Sequence, residues 1–495
     1  MNFNQKYNFS PPSVSLLLAI ILLPNILLAQ NALEDLSLEN FLAMAQQNAI
    51  ADEAAQLDWR AAQLNFQIFR AGLKPQISAT ANFPNFANTF AEIQQPDGSI
   101  LFPRINNNNS ALGFRLDQVV PKTGGNVFVQ SNLQRFDDFT NDKFSYNGTP
   151  FRVGFFQPLF AFNQWKWDKK LEPMRLREAE KKYTADKEAI NLNAASLFFD
   201  LLVAHENLQI ATTNKASNET LLKIAEEKFE LGVISKRDLI QLQLELISSN
   251  KNKTAAEQSV RLASSAIYVF LGKIYNGEMI RPTTPEVTTL INADLTIALQ
   301  EGLNNRFEQD QFVRQVVEAK MEVDRAKKDN GIQADLFASF GLTRSAGNVG
   351  DIYADPQQQQ FVQLQLNVPI VDWGIRKSSI NLAKAQLDFS QKNIQRNKLQ
   401  LETNIKQTLD AFQNLQKQVQ LDQEIKALAQ ERFEITKESF VLGAINITEL
   451  TLAQREKDQT ARTYIFTLSQ YWQNYYALRN LTLYDFQERR AVVYP

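Results

Sequence analysis

Apolar residues recur at intervals of three and four along most of this chain, and in two stretches the pattern changes to strict alternation. The first pattern is typical of helices with one apolar face, and the second is typical of strands. The predicted helices cover residues 36–74, 165–231, 235–271, 295–330, 376–442 and 446–483. The predicted strands lie within 76–160 and at 334–343 and 361–371. The sequence therefore predicts a mainly α fold with a β segment.

The two longest predicted helices carry an apolar residue every seven positions, which is typical of helices that supercoil around a neighbour. These positions are Leu176, Tyr183, Ile190 and Leu197 in one helix and Ile380, Leu387, Ile394 and Leu401 in the other. At 1.5 Å per residue each long helix spans about 100 Å, and two half-length helices placed end to end match that length. We therefore expect long antiparallel coiled coils.

The chain also repeats its own plan. The stretch "FELGVISKRDL" (229–239) returns as "FVLGAINITEL" (440–450), 211 positions later. Near the start, "LENFLAMAQQN" (38–48) returns as "LTIALQEGLNN" (295–305), 257 positions later. This agreement in register predicts an internal two-fold repeat. The predicted divisions are a first repeat at 30–272, a linker at 273–290, a second repeat at 291–484 and a C-terminal tail at 485–495.

The fall in offset from 257 to 211 means that the first strand region holds about 46 extra residues. These residues could form one long surface loop, or an additional hairpin that turns at "PKTGG" (121–125). The two alternatives correspond to four and six strands per chain. We favour the hairpin because the residues on both sides of this turn alternate.

Gly232 and Gly443 stand where each long helix is predicted to end and the chain to reverse. Glycine tolerates the left-handed conformation that closes a helix. Ser235 and Asn446 follow as predicted N-caps, each with an acidic residue three positions later. That spacing is typical of a capping box. The sequence therefore predicts two tight helical hairpins.

Residues 1–29 are predicted to be a signal peptide. Lys6 precedes an apolar run from Val14 to Leu28, and Ala29 offers a small residue for cleavage. The alternative is a membrane anchor, but the run is shorter than the roughly 20 residues that a spanning helix needs. If the mature chain crosses a membrane, we expect it to do so as strands.

Composition excludes several kinds of site. The chain has no cysteine, a single histidine (His205) and a net charge of −2. These features exclude disulfides and zinc–thiolate sites, and they leave no broad basic surface for nucleic acid. We also find no glycine-rich phosphate-binding loop and no activated nucleophile. We therefore predict that the protein is not an enzyme and has no cofactor, metal ion or nucleic-acid partner.

Strands that alternate apolar and polar residues behind a secretion signal are typical of an outer-membrane β-barrel. Four strands are too few to close a barrel around a pore. Every backbone polar group in lipid must nevertheless be paired, so the edges of the sheet cannot stay open. We therefore expect a barrel that is completed by association of several copies.

The quoted stretches together resemble the TolC family of outer-membrane efflux channels. The resemblance rests on "LSLENFLAMAQQNA" (36–49), "KPQISATANF" (74–83), "FQPLF" (156–160) and the two "LG-x-I-[SN]" hairpins, in their duplicated order. It implies a homotrimer with a short barrel in the outer membrane and a helical tunnel across the periplasm. It also implies a periplasmic adaptor protein and an inner-membrane transporter of the RND or ABC type as partners.

The resemblance further implies site residues. The residues expected at the adaptor-docking tips are Leu231, Gly232, Val233, Ser235, Leu442, Gly443, Ala444 and Asn446. Asp238 and Glu449 are expected either to line a closed aperture or simply to cap their helices. Leu452 and Ile445 stand where some members carry an acid and a basic gate residue. Trp165, Trp167 and Trp373 flank the strand ends, where they could anchor at the membrane interface or fill space.

The expected function is a passive outer-membrane duct, the exit of a tripartite efflux or type I secretion system for small molecules or polypeptides. A secreted periplasmic coiled-coil scaffold without transport activity is the alternative. The alternating strands, for example "QLQLNV" (363–368), favour the duct because a scaffold has no use for them.

Overall fold

The computed structural model describes residues 35–287 and 290–494. The predicted signal peptide, residues 1–29, lies outside the described residues. The helices are α1 (Leu38–Asn48), α2 (Ile50–Gly72), α3 (Gln164–Glu230), α4 (Lys236–Phe270), α5 (Leu295–Asn305), α6 (Phe307–Asp329), α7 (Val349–Ala354), α8 (Ile375–Val441) and α9 (Ile447–Thr482). Among the described residues, no helix combines the length and the apolar character needed to cross a membrane.

The strands are β1 (Asp35–Leu36), β2 (Gln76–Asn82), β3 (Phe86–Phe90), β4 (Ile93–Gln94), β5 (Ile100–Leu101), β6 (Arg104–Val120), β7 (Gly125–Asp138), β8 (Lys143–Leu159), β9 (Arg281–Pro282), β10 (Gln333–Ala346), β11 (Gln357–Asn367), β12 (Tyr484–Asp485) and β13 (Arg490–Ala491). The duplication is visible in these bounds. The start of α8 lies 211 positions after that of α3, and β10 starts 257 positions after β2.

Two stretches predicted as single helices are each interrupted. The prediction at 36–74 corresponds to α1 and α2, which separate at Ala49, and the prediction at 295–330 corresponds to α5 and α6, which separate at Arg306. Both residues have extended backbone, with ψ of 135° at Ala49 and 142° at Arg306. The two breaks lie at the same position of the repeat, 257 residues apart.

The chain divides into two compact units. One unit contains the described residues up to Glu53, together with Glu188–Asn292 and Thr408–Leu478. It is helical except for a short parallel pair of β1 with β9. Aromatic side chains fill part of its core, where the rings of Phe412 and Tyr471 stack with centroids 5.1 Å apart. Burial raises the pKa of the Tyr471 hydroxyl to about 12.

The other unit contains Ala54–Lys187, Ala293–Gln407 and Arg479–Pro495. It holds the large antiparallel sheet, in which the strands follow the order β11-β10-β8-β7-β6-β2, and β3 also pairs with β6. The hairpin predicted at 121–125 is present. β6 and β7 form an antiparallel ladder in which the pair nearest the turn is Val120 with Gly125. The two strands on either side of that turn run over Arg104–Val120 and Gly125–Asp138.

The pairing register separates the sheet into an apolar and a polar face. One cross-strand row of the apolar face is Ile77, Leu116, Val129, Val153, Phe340 and Gln360. The adjacent row on the opposite face is Gln76, Asp117, Phe128, Gly154, Ser339 and Phe361. Around these rows, alternation along the strands therefore gives the sheet one mainly apolar face, which becomes polar toward Ser110 and Arg135.

The residues predicted as a C-terminal tail are attached to the second unit. Tyr484–Asp485 pairs with Arg490–Ala491 in a short antiparallel ladder. The ammonium of Lys187 lies 5.6 Å from the centre of the Tyr494 ring, within the range of a cation–π contact.

Candidate functional site at the helical hairpins

The two predicted hairpins lie in the first unit, and we call residues 228–239 the first tip and residues 439–450 the second tip. Gly232 and Gly443 have φ of 73° and 79°, the left-handed region that favours glycine. The Val233 N–H donates to the Lys228 carbonyl at 2.8 Å, and the Ala444 N–H donates to the Ser439 carbonyl at 2.9 Å. Each long helix therefore ends in a Schellman motif.

The N-cap of the first tip is a complete capping box. The Ser235 hydroxyl accepts from the Asp238 N–H at 3.2 Å, and the Asp238 carboxylate accepts from the Ser235 N–H at 3.3 Å. The carboxylate also accepts from the Ser235 hydroxyl at 2.7 Å. This hydroxyl bond holds the pKa of Asp238 below its usual value, because it stabilises the charged form.

The second tip uses a variant of that cap. The Asn446 Oδ1 accepts from the Thr448 N–H at 2.9 Å and from the Glu449 N–H at 3.1 Å. The Glu449 carboxylate accepts from the Asn446 side-chain amide at 3.2 Å rather than from its backbone. Both predicted acids thus serve as capping partners in the structure.

The two tips pack on a common apolar cluster, which anchors both hairpins. Its buried members are Leu221, Ala225, Leu239, Leu242, Phe433, Phe440, Ile447, Leu450 and Ala453. Ile234 and Ile445, one from each turn, pack against it and are partly buried. The tips therefore behave as one packed body and not as two free loops.

Lys228 links the first tip to the second. Its ammonium donates to the Phe440 carbonyl at 2.9 Å and to the Val441 carbonyl at 3.0 Å. The same group lies 5.1 Å from the centre of the Phe440 ring. The last carbonyls of a helix lack partners within it and carry partial negative charge. Lys228 from α3 thus caps the C-terminus of α8.

Sequence reasoning did not identify this role of Lys228. The position 211 residues later is Ser439, whose hydroxyl donates to the Ile435 carbonyl of its own helix at 2.9 Å. The only sequence signal was a basic residue in the last turn of a helix, which is a common feature. That signal does not say which helix the lysine caps.

The outer surface of the tips is apolar. Leu442 and Leu231 are 84% and 78% exposed, and Val233 is also exposed. Gly232 has no other atom within 4 Å of the position that a Cβ would take, so nothing covers the turn. Large aliphatic side chains exposed together to solvent are typical of a surface that meets a partner.

The predicted interface tryptophans lie in the second unit and differ in their surroundings. The Trp165 ring packs near Gly72, and the Trp167 indole N–H donates to the Asp324 carboxylate at 3.0 Å. Trp373 is 94% exposed and has a φ of 52°. These tryptophans belong to the second unit, whereas the hairpin tips belong to the first.

The described part of the chain contains no group of three or more histidine, cysteine, aspartate or glutamate side chains that could hold a metal ion. The arrangement at the tips is one of apolar surface, helix caps and a capping lysine. Such a surface can bind another protein.

Duplicated helical hairpins combined with an amphipathic antiparallel sheet are the features expected of an outer-membrane efflux channel, and a family comparison identifies that class directly. The family described as outer membrane efflux protein matches residues 42–273 and 305–482. This chain belongs to the outer membrane efflux protein family. The match confirms the resemblance inferred from the sequence, and membership indicates an outer-membrane location.

Individual relatives are distant. Nodulation protein T of Rhizobium leguminosarum bv. trifolii is 20% identical over 294 residues, which cover 58% of this chain and 61% of that protein. Outer membrane protein TolC of Vibrio cholerae serotype O1 is 24% identical over 124 residues, which cover 25% of this chain and 28% of that protein. This chain therefore aligns with less than two thirds of either relative.

A solved structure extends the likeness over most of the chain. The CmeC outer membrane channel of Campylobacter jejuni has a TM-score of 0.65 and 16% identity. The superposition covers 90% of this chain and 85% of CmeC. It confirms the predicted mainly α fold with a β segment.

Proposed function

We propose that this protein is the outer-membrane duct of a tripartite efflux or type I secretion system, and that it works as a homotrimer. A periplasmic adaptor would bind the hairpin tips, and an inner-membrane RND or ABC transporter would supply small molecules or polypeptides. The duct itself is passive. The family description and the fold likeness support an efflux role, and the details below come from this chain.

The chemistry of the sheet edges supports association of several copies, and the resemblance to the TolC family supplies the number three. Neither β2 nor β3 on one edge, nor β11 on the other, contains a charged residue or a proline. Soluble proteins usually protect exposed edges with such residues, because unpaired N–H and C=O groups recruit other strands. In lipid an unpaired edge is costlier still. The edges of this sheet therefore suit pairing with sister copies.

The tips supply the adaptor-binding surface. Leu231 and Val233 from the first tip and Leu442 from the second are exposed, while the residues beneath them are buried in a common cluster. A surface that is apolar and already ordered loses little conformational entropy on binding. Gly232, Ser235, Gly443, Ala444 and Asn446 set the backbone of that surface rather than its contacts.

For Asp238 we favour the capping role over the aperture role. Its carboxylate accepts two hydrogen bonds from Ser235, and its backbone N–H donates a third to the Ser235 hydroxyl. Glu449 has one bond to the Asn446 amide and is exposed, which leaves it better able to line an aperture. Leu452 follows it as an exposed apolar residue, so an acidic ring here would carry one charge per copy from this segment.

Disulfide mapping tests the trimer, because the chain has no cysteine of its own. Ser78→Cys on β2 is combined in turn with Gln359→Cys, Gln363→Cys or Gln365→Cys on β11, all on the polar face. One pairing should give covalent trimers after oxidation in the outer-membrane fraction. Ser78→Cys with Gln130→Cys is the matched control, since β6 lies between these residues and keeps them two strand spacings, roughly 10 Å, apart, too far for a disulfide.

Conductance across a planar bilayer is the second readout. We expect the reconstituted trimer to conduct ions. A monomer recovered from the soluble periplasm, with no cross-link from any pairing, would support the scaffold function and would rule out the duct.

A further inference from the structure

A basic pocket lies where the sheet meets the helices in the second unit. It has a volume of about 260 Å³ and is lined by residues from the end of β8, the end of α6 and the start of α8. The lining residues are Phe160, Lys327, Lys328, Gly331, Ile332 and Arg376. Three of these six residues are cations, and none of the six is acidic.

The positive charge of this pocket is only partly balanced. Lys328 pairs with the Asp324 carboxylate at 3.1 Å, but that carboxylate also accepts from the Trp167 indole. Among the described residues, neither Lys327 nor Arg376 forms an ion pair with a carboxylate. Asp372 lies close by, but its oxygens accept from the backbone N–H groups of Gly374 and Arg376.

Exposed apolar side chains flank the cations. Phe160 and Ile332 line the pocket and are exposed, and Trp373 and Ile370 stand in solvent on the segment that leads into α8. Phe160 has a φ of 66°, a left-handed conformation that costs a bulky residue energy. A strained, exposed aromatic residue beside cations whose charge is only partly balanced is typical of a binding surface.

From this combination we infer that the pocket binds the phosphate of an anionic glycerophospholipid headgroup. The sheet has one apolar face, and the family is located in the outer membrane, so the end of the sheet marks the level at which the hydrocarbon of the membrane ends. Cations beside exposed aromatic residues at that level match the charge and the amphiphilic character of such a headgroup. Lys327, Lys328 and Arg376 contact the phosphate, and Phe160 and Ile332 contact the glycerol and the first acyl carbons.

The inference depends on the outer-membrane location of the protein and is independent of its cargo. It can therefore fail while the duct function stands. Conductance reports on the duct, whereas lipid retention reports on the pocket.

The test measures lipid adducts on the full-length trimer by native mass spectrometry in a zwitterionic detergent. The probes are dioleoyl phosphatidylglycerol, dioleoyl phosphatidylcholine and inorganic phosphate. The variant is the triple change Lys327→Gln, Lys328→Gln and Arg376→Gln. The matched control is Lys223→Gln, Lys251→Gln and Arg261→Gln, which removes the same charge from exposed positions on α3 and α4.

We expect the wild type and the control to retain phosphatidylglycerol in preference to phosphatidylcholine. The triple variant should lose roughly tenfold or more in phosphatidylglycerol binding, since each cation near an anionic headgroup contributes to the attraction. Inorganic phosphate should neither bind detectably nor compete, because it lacks the apolar part of the ligand.

Three outcomes would overturn the inference. Equal phosphatidylglycerol binding by the triple variant and the control would show that the pocket is not the site. Full competition by inorganic phosphate would assign the pocket to a free anion. A triple variant that dissociates to monomers but keeps its lipid would assign the cations to contacts between copies.

Discussion

The first and second tips share a backbone but differ in their side chains. Both helices end at a glycine in a Schellman motif, with φ of 73° at Gly232 and 79° at Gly443. The first tip has a reciprocal Ser235–Asp238 capping box, whereas the second has an amide in place of the hydroxyl. The first tip also supplies Lys228 to cap the helix of the second. Duplication thus preserved the backbone of the turn, while the side-chain contacts made by the two tips now differ.

The largest expected difference concerns the repeat partners Phe440 and Phe229. Phe440 is 4% exposed in the common cluster, whereas Phe229 is 37% exposed and lies 5.4 Å from the Lys236 ammonium. Phe440→Ala should cost about 3–5 kcal/mol of local stability because it opens a cavity. Phe229→Ala should cost about 1 kcal/mol or less, the scale of an exposed cation–π contact. Hydrogen exchange of tip amides in the intact trimer measures both, and similar costs would contradict the burial difference.

The two glycines should respond alike. Gly232→Ala and Gly443→Ala each place a Cβ in the left-handed region, which costs roughly 1–2 kcal/mol. Hydrogen exchange at residues 228–239 and 439–450 reports the loss. Gly→Asn at the same positions is the milder control, because asparagine tolerates this conformation better. A cost confined to one tip would show that the two turns are not equivalent.

Replacing Lys228 should lower the local stability of the second tip, although Lys228 itself belongs to the first tip. Lys228→Met keeps most of the apolar stem and loses the bonds to the Phe440 and Val441 carbonyls, at a cost of about 1 kcal/mol. We expect faster exchange at the end of α8, in the second tip, than in the first. Lys223→Met, on the same helix and exposed, serves as the control. Faster exchange confined to the first tip would exclude the capping role.

The smallest expected effect is a pH dependence of the first tip. The pKa of Asp238 is lowered by the Ser235 hydroxyl, so its carboxylate stabilises the folded tip above about pH 4. This contribution is lost as the pH falls through the lowered pKa. Solvent screening limits it to a few tenths of a kcal/mol. Hydrogen exchange of the first-tip amides, measured at pH values above and below that pKa, should show this loss of stability in the wild type. Asp238→Asn should abolish the pH dependence.

Much of the fold could be predicted from periodicity alone. The long helices were predicted at 165–231 and 376–442 and are found at Gln164–Glu230 and Ile375–Val441. Their heptad spacing is sustained, and their ends are marked by glycine and a cap, so local signals suffice. The hairpin of β6 and β7 was favoured for the same reason, since alternation continued on both sides of its turn.

The breaks at Ala49 and Arg306 could not be predicted in this way, because neither residue is a glycine or a proline. The break at Arg306 is supported by one distant and one local contact. Its guanidinium donates to the Asn480 carbonyl at 2.8 Å and pairs with Glu308. Lys228 is a similar case, since its partners lie more than two hundred residues away. Local sequence does not encode contacts of this kind.

The paired breaks also date events in the ancestry of the chain. A helix interruption that recurs 257 residues later, between helices of equal length, was already present in the single segment that was copied. The extra strands have no counterpart in the second half, so the halves diverged there after the copying. The break in the short helices is thus inherited from the ancestor, and the difference in strand number between the two repeats is the younger feature.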